Sequence, residues 1–300
     1  MPASTTAADR QTHPPEVTTF FDEPTSTFSY VVRDPATQHC AIIDSVLNLD
    51  YPSGSLAHDG AQQIVDFVER NSLVVDWILE THVHADHLTA APYLQERLGG
   101  LIAIGEHIVT VQQTFGRVFE EGSEFHRDGS QFDRLLADGD TLQLGSLEIT
   151  ALHTPGHTPA CMTYLIDDAA FVGDTLFMPD GGTARADFPG GDARTLYQSI
   201  QRLLSLPAET RLFMCHDYRP NGREIAYQSS VADEARHNIH ARVGVSEAEF
   251  VAMREQRDAT LGMPTLILPS LQVNMRAGHL PPASPGGRVF LKLPIDAFNG

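Results

Sequence analysis

Four side chains that could bind a metal are crowded into one short segment of the sequence. His82, His84, Asp86 and His87 directly follow an apolar segment that is predicted to be a strand ending at His82. Imidazole and carboxylate groups are ligands that zinc, iron and related metals use in proteins. A solvated polar turn would account for one histidine, but not for three together with an aspartate. The spacing therefore predicts a metal site on a loop between rigid elements.

Three more potential ligands occur singly, each where a predicted strand gives way to a loop. His157 follows Thr-Pro-Gly, Asp174 follows Phe-Val-Gly, and His216 ends the predicted strand TRLFMCH. The end of a strand is a place where a sheet presents functional side chains. Alone, each would more often be a hydrogen-bonded loop residue. Together with the first four, they complete a set of five histidines and two aspartates.

The ordered set, HxHxDH followed by His, Asp and His, resembles the metallo-β-lactamase superfamily over about residues 17–218. The resemblance implies an α+β fold, a four-layer αββα sandwich with a C-terminal extension and the metal at one edge of the two sheets. The superfamily can hold two metals. Its pattern implies a first metal at His82, His84 and His157, a second at Asp86, His87 and His216, and Asp174 between them.

Segments outside the ligands narrow the resemblance to the persulfide dioxygenases, also called sulfur dioxygenases. These segments are GTARADF at 182–188, HDY at 216–218 and LQVNMRAG at 271–278. The resemblance implies oxidation of glutathione persulfide by O2 to sulfite and glutathione, as part of sulfide detoxification. It also implies one iron(II) per chain, although the ligand types leave zinc open, because zinc accepts the same donors.

The family's iron ligands, which are also its catalytic residues, correspond to His82, His157 and Asp174. Two imidazoles and one carboxylate on one face leave coordination positions open, as in non-haem iron oxygenases. The other four positions would then support the ligands or hold a second metal; they are His84, Asp86, His87 and His216. Arg185 matches the family's glutathione-binding arginine, with a salt bridge to Asp187 as the alternative interpretation, and Tyr218 is expected to be a second substrate contact.

Two other functions remain open on the same residues. One is a zinc-dependent glutathione thioester hydrolase of the glyoxalase II type, which shares the fold and the glutathione moiety. The other is a non-catalytic, metal-bound protein that binds sulfur species. Consumption of O2, anaerobic thioester hydrolysis, or binding without turnover would distinguish the three.

The rest of the chain predicts the elements that position these residues. Paired strands alternate with helices, which favours mixed sheets over a doubly wound parallel sheet. Asp192 and Ser246 each precede a predicted helix as capping residues. The sequence predicts a flexible tail at 1–16, a catalytic domain at 17–240, and an extension at 241–300 that packs on the same domain.

Composition excludes several classes of partner. The 300 residues include 39 acidic and 20 basic side chains, for a net charge of −19. This balance argues against nucleic acid and anionic membrane surfaces as partners. The start of the sequence has no pattern typical of a secretory signal, and the three cysteines form no CxxC pair, so a cytoplasmic location is expected. Cys161 and Cys215 are interpreted as packing residues, and a homodimer remains an open expectation from the resemblance.

Overall fold

The computed structural model of the chain describes residues 13–296. Most of the predicted tail, 1–16, lies outside the described residues, and the first strand already begins at Glu16. Within the described part, the strands in chain order are β1 Glu16–Asp22, β2 Thr27–Arg33, β3 His39–Ile43, β4 Asn48–Asp50, β5 Ser55–Ala57, β6 Val74–Leu79, β7 Leu101–Gly105, β8 Arg134–Leu136, β9 Thr141–Leu144, β10 Leu147–His153, β11 Met162–Ile166, β12 Ala169–Phe171, β13 Arg211–Phe213 and β14 Gln228–Ser230.

The helices lie on the outer faces of the sheets. In chain order they are α1 Asp59–Arg70, α2 Ala91–Leu98, α3 Ile108–Val118, α4 Ala193–Leu204, α5 Val231–His237, α6 Glu247–Asp258 and α7 Ile267–Asn274. The predicted caps are confirmed. Asp192 accepts a hydrogen bond from the backbone N–H of Thr195, and Ser246 forms a reciprocal capping box with Glu249.

Two six-stranded mixed sheets form the centre of the fold. Their strand orders are β1-β2-β3-β6-β7-β8 and β14-β13-β12-β11-β10-β9. In the first sheet, β3, β6, β7 and β8 pair in parallel, whereas β1, β2 and β3 pair antiparallel. In the second sheet, β12 and β13 are the parallel pair. The chain therefore combines hairpins with crossovers, as the alternation of strand pairs and helices predicts.

Three hydrophobic clusters separate the four layers. Tyr30 and Val32 of β2 belong to the cluster between the two sheets, whereas Val31 belongs to the cluster that the first sheet shares with α1, α2 and α3. This division follows from the two-residue period of a strand, and a strand buried on both faces needs continuous apolar residues. The third cluster lies between the second sheet and α4, around Leu196 and Ile200. The predicted αββα sandwich is confirmed.

Two elements that lie beside the candidate metal centre were not predicted from the sequence. One is the hairpin of β4 and β5, whose short strands mix polar and apolar residues that are partly or fully exposed. The other is α7, which lies in a segment rich in proline and glycine, so that the sequence did not predict a helix there. Leu271 and Val273 of α7 belong to the same core cluster as α1, α2 and α3. The division at 240 stays a prediction, but part of the predicted extension contributes directly to the core.

A buried carboxylate on α5 gives the free energy of unfolding a pH dependence. Glu234 is fully buried, and its Oε2 accepts a hydrogen bond from Asn238 at 2.8 Å. Burial raises the pKa of Glu234 to about 7, from about 4.5 in an exposed chain. Below pH 4.5 the carboxyl group is protonated in both the folded and the unfolded protein. Stability is therefore lost as pH rises from 4.5 to 7, because the folded state resists ionisation.

Replacing Glu234 by Gln is expected to remove this pH dependence. The shift in pKa lowers the free energy of unfolding of the wild type by about 3 kcal/mol at pH 8. Between pH 4.5 and pH 8, the stability of the variant should therefore rise by about that much relative to the wild type. Urea denaturation of both proteins at the two pH values measures the difference. If the free energies of unfolding of the wild type and the variant differ by the same amount at both pH values, Glu234 is not the source of the pH dependence.

No helix within residues 13–296 is both long and apolar enough to cross a membrane.

Candidate metal centre

Four strand ends bring the predicted ligands together. His82 follows β6, His157 follows β10, Asp174 follows β12 and His216 follows β13, each by a few residues. The strands predicted to end at His82 and His216 end earlier, at Leu79 and Phe213. The ligands therefore lie on loops just beyond the sheets.

The loop after β6 leaves the sheet because its backbone bonds elsewhere. The backbone N–H of Thr81 donates to Oδ1 of Asp44 at 2.8 Å, so a side chain replaces the neighbouring strand as acceptor. From the second sheet, the backbone N–H of Met162 donates to the carbonyl of Thr81, and the hydroxyl of Tyr164 donates to the carbonyl of Glu80, both at 2.8 Å. The two sheets thus hold the metal-binding loop between them.

Two glycines allow the loops to approach closely. Gly173, directly before Asp174, has φ +51°, and a Cβ there would lie 2.7 Å from Oγ1 of Thr81. Gly156, directly before His157, has φ +136°, and a Cβ there would lie 2.3 Å from the backbone of Leu196. Residues with side chains would be both strained and in collision at these positions. The glycines of the Phe-Val-Gly and Thr-Pro-Gly segments therefore set the positions of two ligands.

His82, His157 and Asp174 form one compact triad. Their ligand atoms all lie within 4.8 Å of one another, and all three side chains are buried. Oδ2 of Asp174 is 3.6 Å from Nε2 of His157 and 3.9 Å from Nε2 of His82. Nε2 of His82 and Oδ1 of Asp174 are buried without a hydrogen-bond partner. Buried polar atoms without partners cost free energy unless something binds them, so this set fits a divalent metal.

Hydrogen bonds at the far side of each ring select the nitrogen that faces the centre. Nδ1 of His157 donates to the carbonyl of Arg185 at 2.7 Å. The hydroxyl of Thr81 donates to Asp44, so its oxygen accepts from Nδ1 of His82 at 3.0 Å. In both rings Nε2 is therefore the unprotonated nitrogen with a free lone pair. Fixing a ligand in this way is the usual role of groups behind a metal site.

The other four predicted residues form a second cluster beside the triad. The ligand atoms of His84, Asp86, His87 and His216 lie within 4.8 Å of one another. Nδ1 of His84, Oδ2 of Asp86, Nε2 of His87 and Nε2 of His216 are all buried and unpartnered. Oδ1 of Asp174 lies 3.4 Å from Nε2 of His216, so Asp174 joins the two clusters. By these distances His84 belongs to the second cluster. The superfamily pattern instead places it at the first metal, with His82 and His157.

The two clusters differ in electrostatics. Burial lowers the pKa of His82 well below its ordinary value, and His84 and His157 lower it further. Burial also acts to lower the pKa of His84, but the carboxylate of Asp44 outweighs it and holds that pKa well above the ordinary value. Because only the neutral form of a ring nitrogen ligates a metal, a metal at the second cluster must compete with a proton on His84.

Two buried carboxylates behind the site were missed by sequence reasoning. Nε2 of His84 lies 3.0 Å from Oδ1 of Asp44 and 3.4 Å from Oε2 of Glu80. Oε1 of Glu80 accepts a hydrogen bond from Thr89. Burial raises the pKa of Glu80. Their positions in the sequence could have indicated them, because each carboxylate directly follows an apolar strand, β3 or β6, of the sheet that leads to the site.

Asn274 of α7 holds the metal-binding loop from behind. Its Nδ2 donates to the carbonyls of His84 and His87, both at 2.8 Å, and its Oδ1 accepts from the backbone N–H of Thr89 at 2.9 Å. The side chain is only 3% exposed. One buried amide thus satisfies three backbone groups of the loop, which would otherwise be costly to bury.

A cavity of about 970 Å³ opens directly onto the triad. His157, Asp174 and Asp86 line it together with two segments that flank its mouth. One flank is the hairpin of β4 and β5, and the other is the 261–266 segment between α6 and α7. This volume suits a small-molecule substrate. The triad therefore faces a space in which a ligand can reach the metal.

The two predicted substrate-binding residues both line this cavity. Tyr218 is 60% exposed, and its ring stacks on His216 at a centroid distance of 5.6 Å. The guanidinium of Arg185 is already paired, with Asp187 at 2.5 and 2.7 Å and with the carbonyl of Gly262 at 2.7 Å. The salt bridge that was the alternative interpretation of Arg185 is therefore present, and its role in binding substrate stays a prediction.

Sequence reasoning missed another arginine of the cavity. Arg257 on α6 lines the cavity and is exposed. Within residues 13–296, its guanidinium has neither a salt bridge nor a side-chain hydrogen bond. Arg254, one turn earlier, is instead buried and paired with Asp258 at 2.7 Å. Arg257 is thus a cation of the cavity that is free to bind an anion.

Comparison with known proteins agrees with this geometry. Residues 22–216 match the family model described as the metallo-beta-lactamase superfamily. A probable metallo-hydrolase of Burkholderia pseudomallei is 60% identical over 289 residues, which cover 93% of this chain and 98% of that protein. The fold, the ordered ligands and this match show that the chain belongs to the metallo-β-lactamase superfamily.

More distant relatives carry more specific names. Glyoxylase B2 of Dictyostelium discoideum is 44% identical over 90% of this chain and 94% of that protein. The crystal structure of ETHE1 from Myxococcus xanthus has a TM-score of 0.70 and 31% identity, covering 88% of this chain and 100% of that one. The mitochondrial persulfide dioxygenase ETHE1 of Bos taurus is 29% identical over 88% of this chain and 89% of its own.

Proposed function

We propose that the protein is an iron-dependent persulfide dioxygenase that oxidises glutathione persulfide with O2 to sulfite and glutathione. The observation that carries the proposal is the triad of His82, His157 and Asp174, which is compact and faces the cavity. The likeness to the ETHE1 proteins supports the same reaction. Electrons lost by the outer sulfur reduce O2, water supplies the third oxygen of sulfite, and the inner sulfur leaves as the thiol of glutathione.

The triad would hold the metal through Nε2 of His82, Nε2 of His157 and Oδ2 of Asp174. Iron(II) bound there supplies a redox couple and open positions for a sulfur ligand and O2. The protein fixes both rings through Thr81 and the carbonyl of Arg185, so the ligands need not reorganise when substrate enters. The second cluster would supply acidic and imidazole groups near the metal, and these could hold the protons that sulfite formation releases.

The cavity must attract a substrate that carries carboxylates, although the chain has a net charge of −19. Acidic side chains, including Asp22 and Asp50, line the cavity as well. Because the guanidinium of Arg185 is paired with Asp187, we propose that Arg257 binds a glutathione carboxylate. A guanidinium suits a carboxylate because two N–H groups can donate to its two oxygens.

Arg257→Ala is expected to raise KM for glutathione persulfide by about tenfold with little change in kcat, since it removes binding without touching the reacting atoms. Steady-state O2 uptake over a range of substrate concentrations measures both constants. Arg242→Ala is the matched control, because Arg242 is also exposed but does not line the cavity. An unchanged KM for Arg257→Ala would remove this residue from the binding model.

The proposed reaction is tested by loading the purified chain with iron(II) and supplying glutathione persulfide in an oxygen electrode. O2 consumption with matching formation of sulfite is expected. Iron-loaded protein that binds one iron per chain and consumes no O2 would refute the proposal.

A zinc-dependent glutathione thioester hydrolase is the second candidate. Two observations favour it: the second cluster offers a complete set of ligands, and Glyoxylase B2 is 44% identical. Zinc-loaded protein under anaerobic conditions would then hydrolyse S-lactoylglutathione. Hydrolysis without O2 uptake would support this candidate against the dioxygenase.

A further inference from the structure

A second, smaller cavity lies beside the metal-binding loop. Its volume is about 20 Å³, against about 970 Å³ for the large cavity that faces the triad. Val83 and Ala85, on either side of His84 in the loop, line the smaller cavity, and so do Val111 of α3 and Leu271 of α7. A molecule of the size of water needs about 10–15 Å³ of such space. The smaller cavity therefore admits a ligand of very few atoms and excludes glutathione.

The lining of the smaller cavity is almost entirely apolar. Among the described residues that form it, only Thr158 has a polar side chain. The hydroxyl of Thr158 already has partners, because it lies 3.1 Å from the sulfur of Cys161 and accepts from the backbone N–H of Ala160 at 3.3 Å. A buried water needs about two to four polar partners, whereas an apolar cavity stays dry and takes apolar ligands. The smaller cavity thus favours a small apolar molecule over water.

Two side chains separate the smaller cavity from the large one. Ala85 and Phe188 line both cavities, and each is 8% exposed. The ring of Phe188 packs edge-on against the ring of His157, with 5.4 Å between the ring centroids. A molecule in the smaller cavity is therefore separated from the triad by the thickness of one side chain.

The lining of the smaller cavity also reaches the protein surface. Pro189 is exposed, whereas Val83 in the metal-binding loop is 3% exposed. In the proposed reaction, glutathione persulfide would fill the large cavity, and O2 must reach the metal while that substrate is bound. O2 carries no charge and donates no hydrogen bond, so it enters an apolar space more readily than water does. A separate apolar path would supply O2 without displacing the substrate.

We propose that the smaller cavity binds O2 and passes it to the triad between Ala85 and Phe188. The delivery of O2 rests on the proposed dioxygenase reaction. The binding of O2 does not, because it needs only the size and the apolar lining of the smaller cavity.

Dissolved O2 is the probe for binding, because it is paramagnetic and speeds the nuclear relaxation of the methyl groups it contacts. Zinc-loaded protein is used, since zinc has no redox couple with which to consume O2. The methyl groups of Val111 and Leu271 should show an enhancement about fivefold greater than those of Val231 and Leu147, because a close-packed core leaves no space for O2. These control residues are buried to a similar degree and line neither cavity.

Val111→Phe is expected to fill the smaller cavity from α3 without touching the triad. It should remove the enhancement at Leu271 and raise KM for O2 by about fivefold, with kcat and KM for glutathione persulfide unchanged. Initial rates over a range of O2 concentrations measure these constants. Val109→Phe is the matched control, because Val109 lies on the same helix but does not line the cavity. Val111→Leu, with Val109→Leu as its control, gives the same test if Val111→Phe fails to fold.

Equal enhancement at the lining and the control methyl groups would overturn the proposal. An unchanged KM for O2 in a folded variant that has lost the enhancement at Leu271 would overturn the delivery of O2. If the iron-loaded wild type consumes no O2 but the zinc-loaded protein shows the selective enhancement, the dioxygenase reaction is refuted and the binding of O2 in the smaller cavity is supported. The two failures are therefore distinguishable.

Discussion

Asp174→Asn is expected to abolish iron binding and turnover together. The carboxylate provides Oδ2 to the triad and Oδ1 to the neighbouring cluster, so its loss affects both. An amide keeps the shape but lacks the negative charge that holds a divalent metal, and we expect iron affinity to fall by about a hundredfold or more. Elemental analysis after dialysis gives iron per chain, and O2 uptake gives the residual activity.

Asp86→Asn is the matched control for this experiment. Asp86 also lines the cavity, but it belongs to the second cluster and not to the triad. If a single iron sits in the triad, Asp86→Asn keeps the iron while Asp174→Asn loses it. Equal loss of iron in both variants would show that the triad does not bind iron independently of the second cluster.

Asn274→Ala is expected to destabilise the fold strongly. It leaves the carbonyls of His84 and His87 and the N–H of Thr89 buried without partners. The expected loss is about 3 kcal/mol in the free energy of unfolding, because unsatisfied buried groups cost about 1–3 kcal/mol each. Iron affinity should fall by about tenfold as well, since the loop that carries the ligands is released.

Urea denaturation and iron titration measure the two effects. Asn71→Ala is the control, because the side chain of Asn71 makes one exposed hydrogen bond, to the carbonyl of Phe67 at the end of α1. Its loss should change stability by less than about 0.5 kcal/mol and leave iron affinity unaltered. Wild-type iron affinity in Asn274→Ala would mean that the loop holds its shape without α7.

The parts of the site predicted from sequence are those encoded locally. His82, His84, Asp86 and His87 are neighbours in the chain, and their spacing alone indicates a metal loop. His157 and Asp174 each follow a glycine at the end of a predicted strand, and the structure shows that a side chain at either glycine would collide with its neighbours. The alternation of strand pairs and helices predicts mixed sheets, whereas the αββα architecture was implied by the resemblance to the superfamily.

The parts that were missed depend on contacts between distant segments. Asn274 binds a loop about 190 residues earlier in the chain, and nothing in its own neighbourhood marks it as a loop support. The salt bridge of Arg185 also receives a hydrogen-bonding partner, Gly262, from the segment before α7. Each error concerns where a side chain points after folding, which residue types do not specify.

The link between Asn274 and the metal loop also constrains the order in which the protein can mature. A growing chain that has emerged as far as His216 already carries all seven potential ligands, but it lacks the helix that fixes the loop holding four of them. Contacts this distant in sequence form late, after most of the chain is available. Stable metal capture therefore has to wait until α7 has left the ribosome, and metal that meets the nascent chain earlier meets a loop without its support.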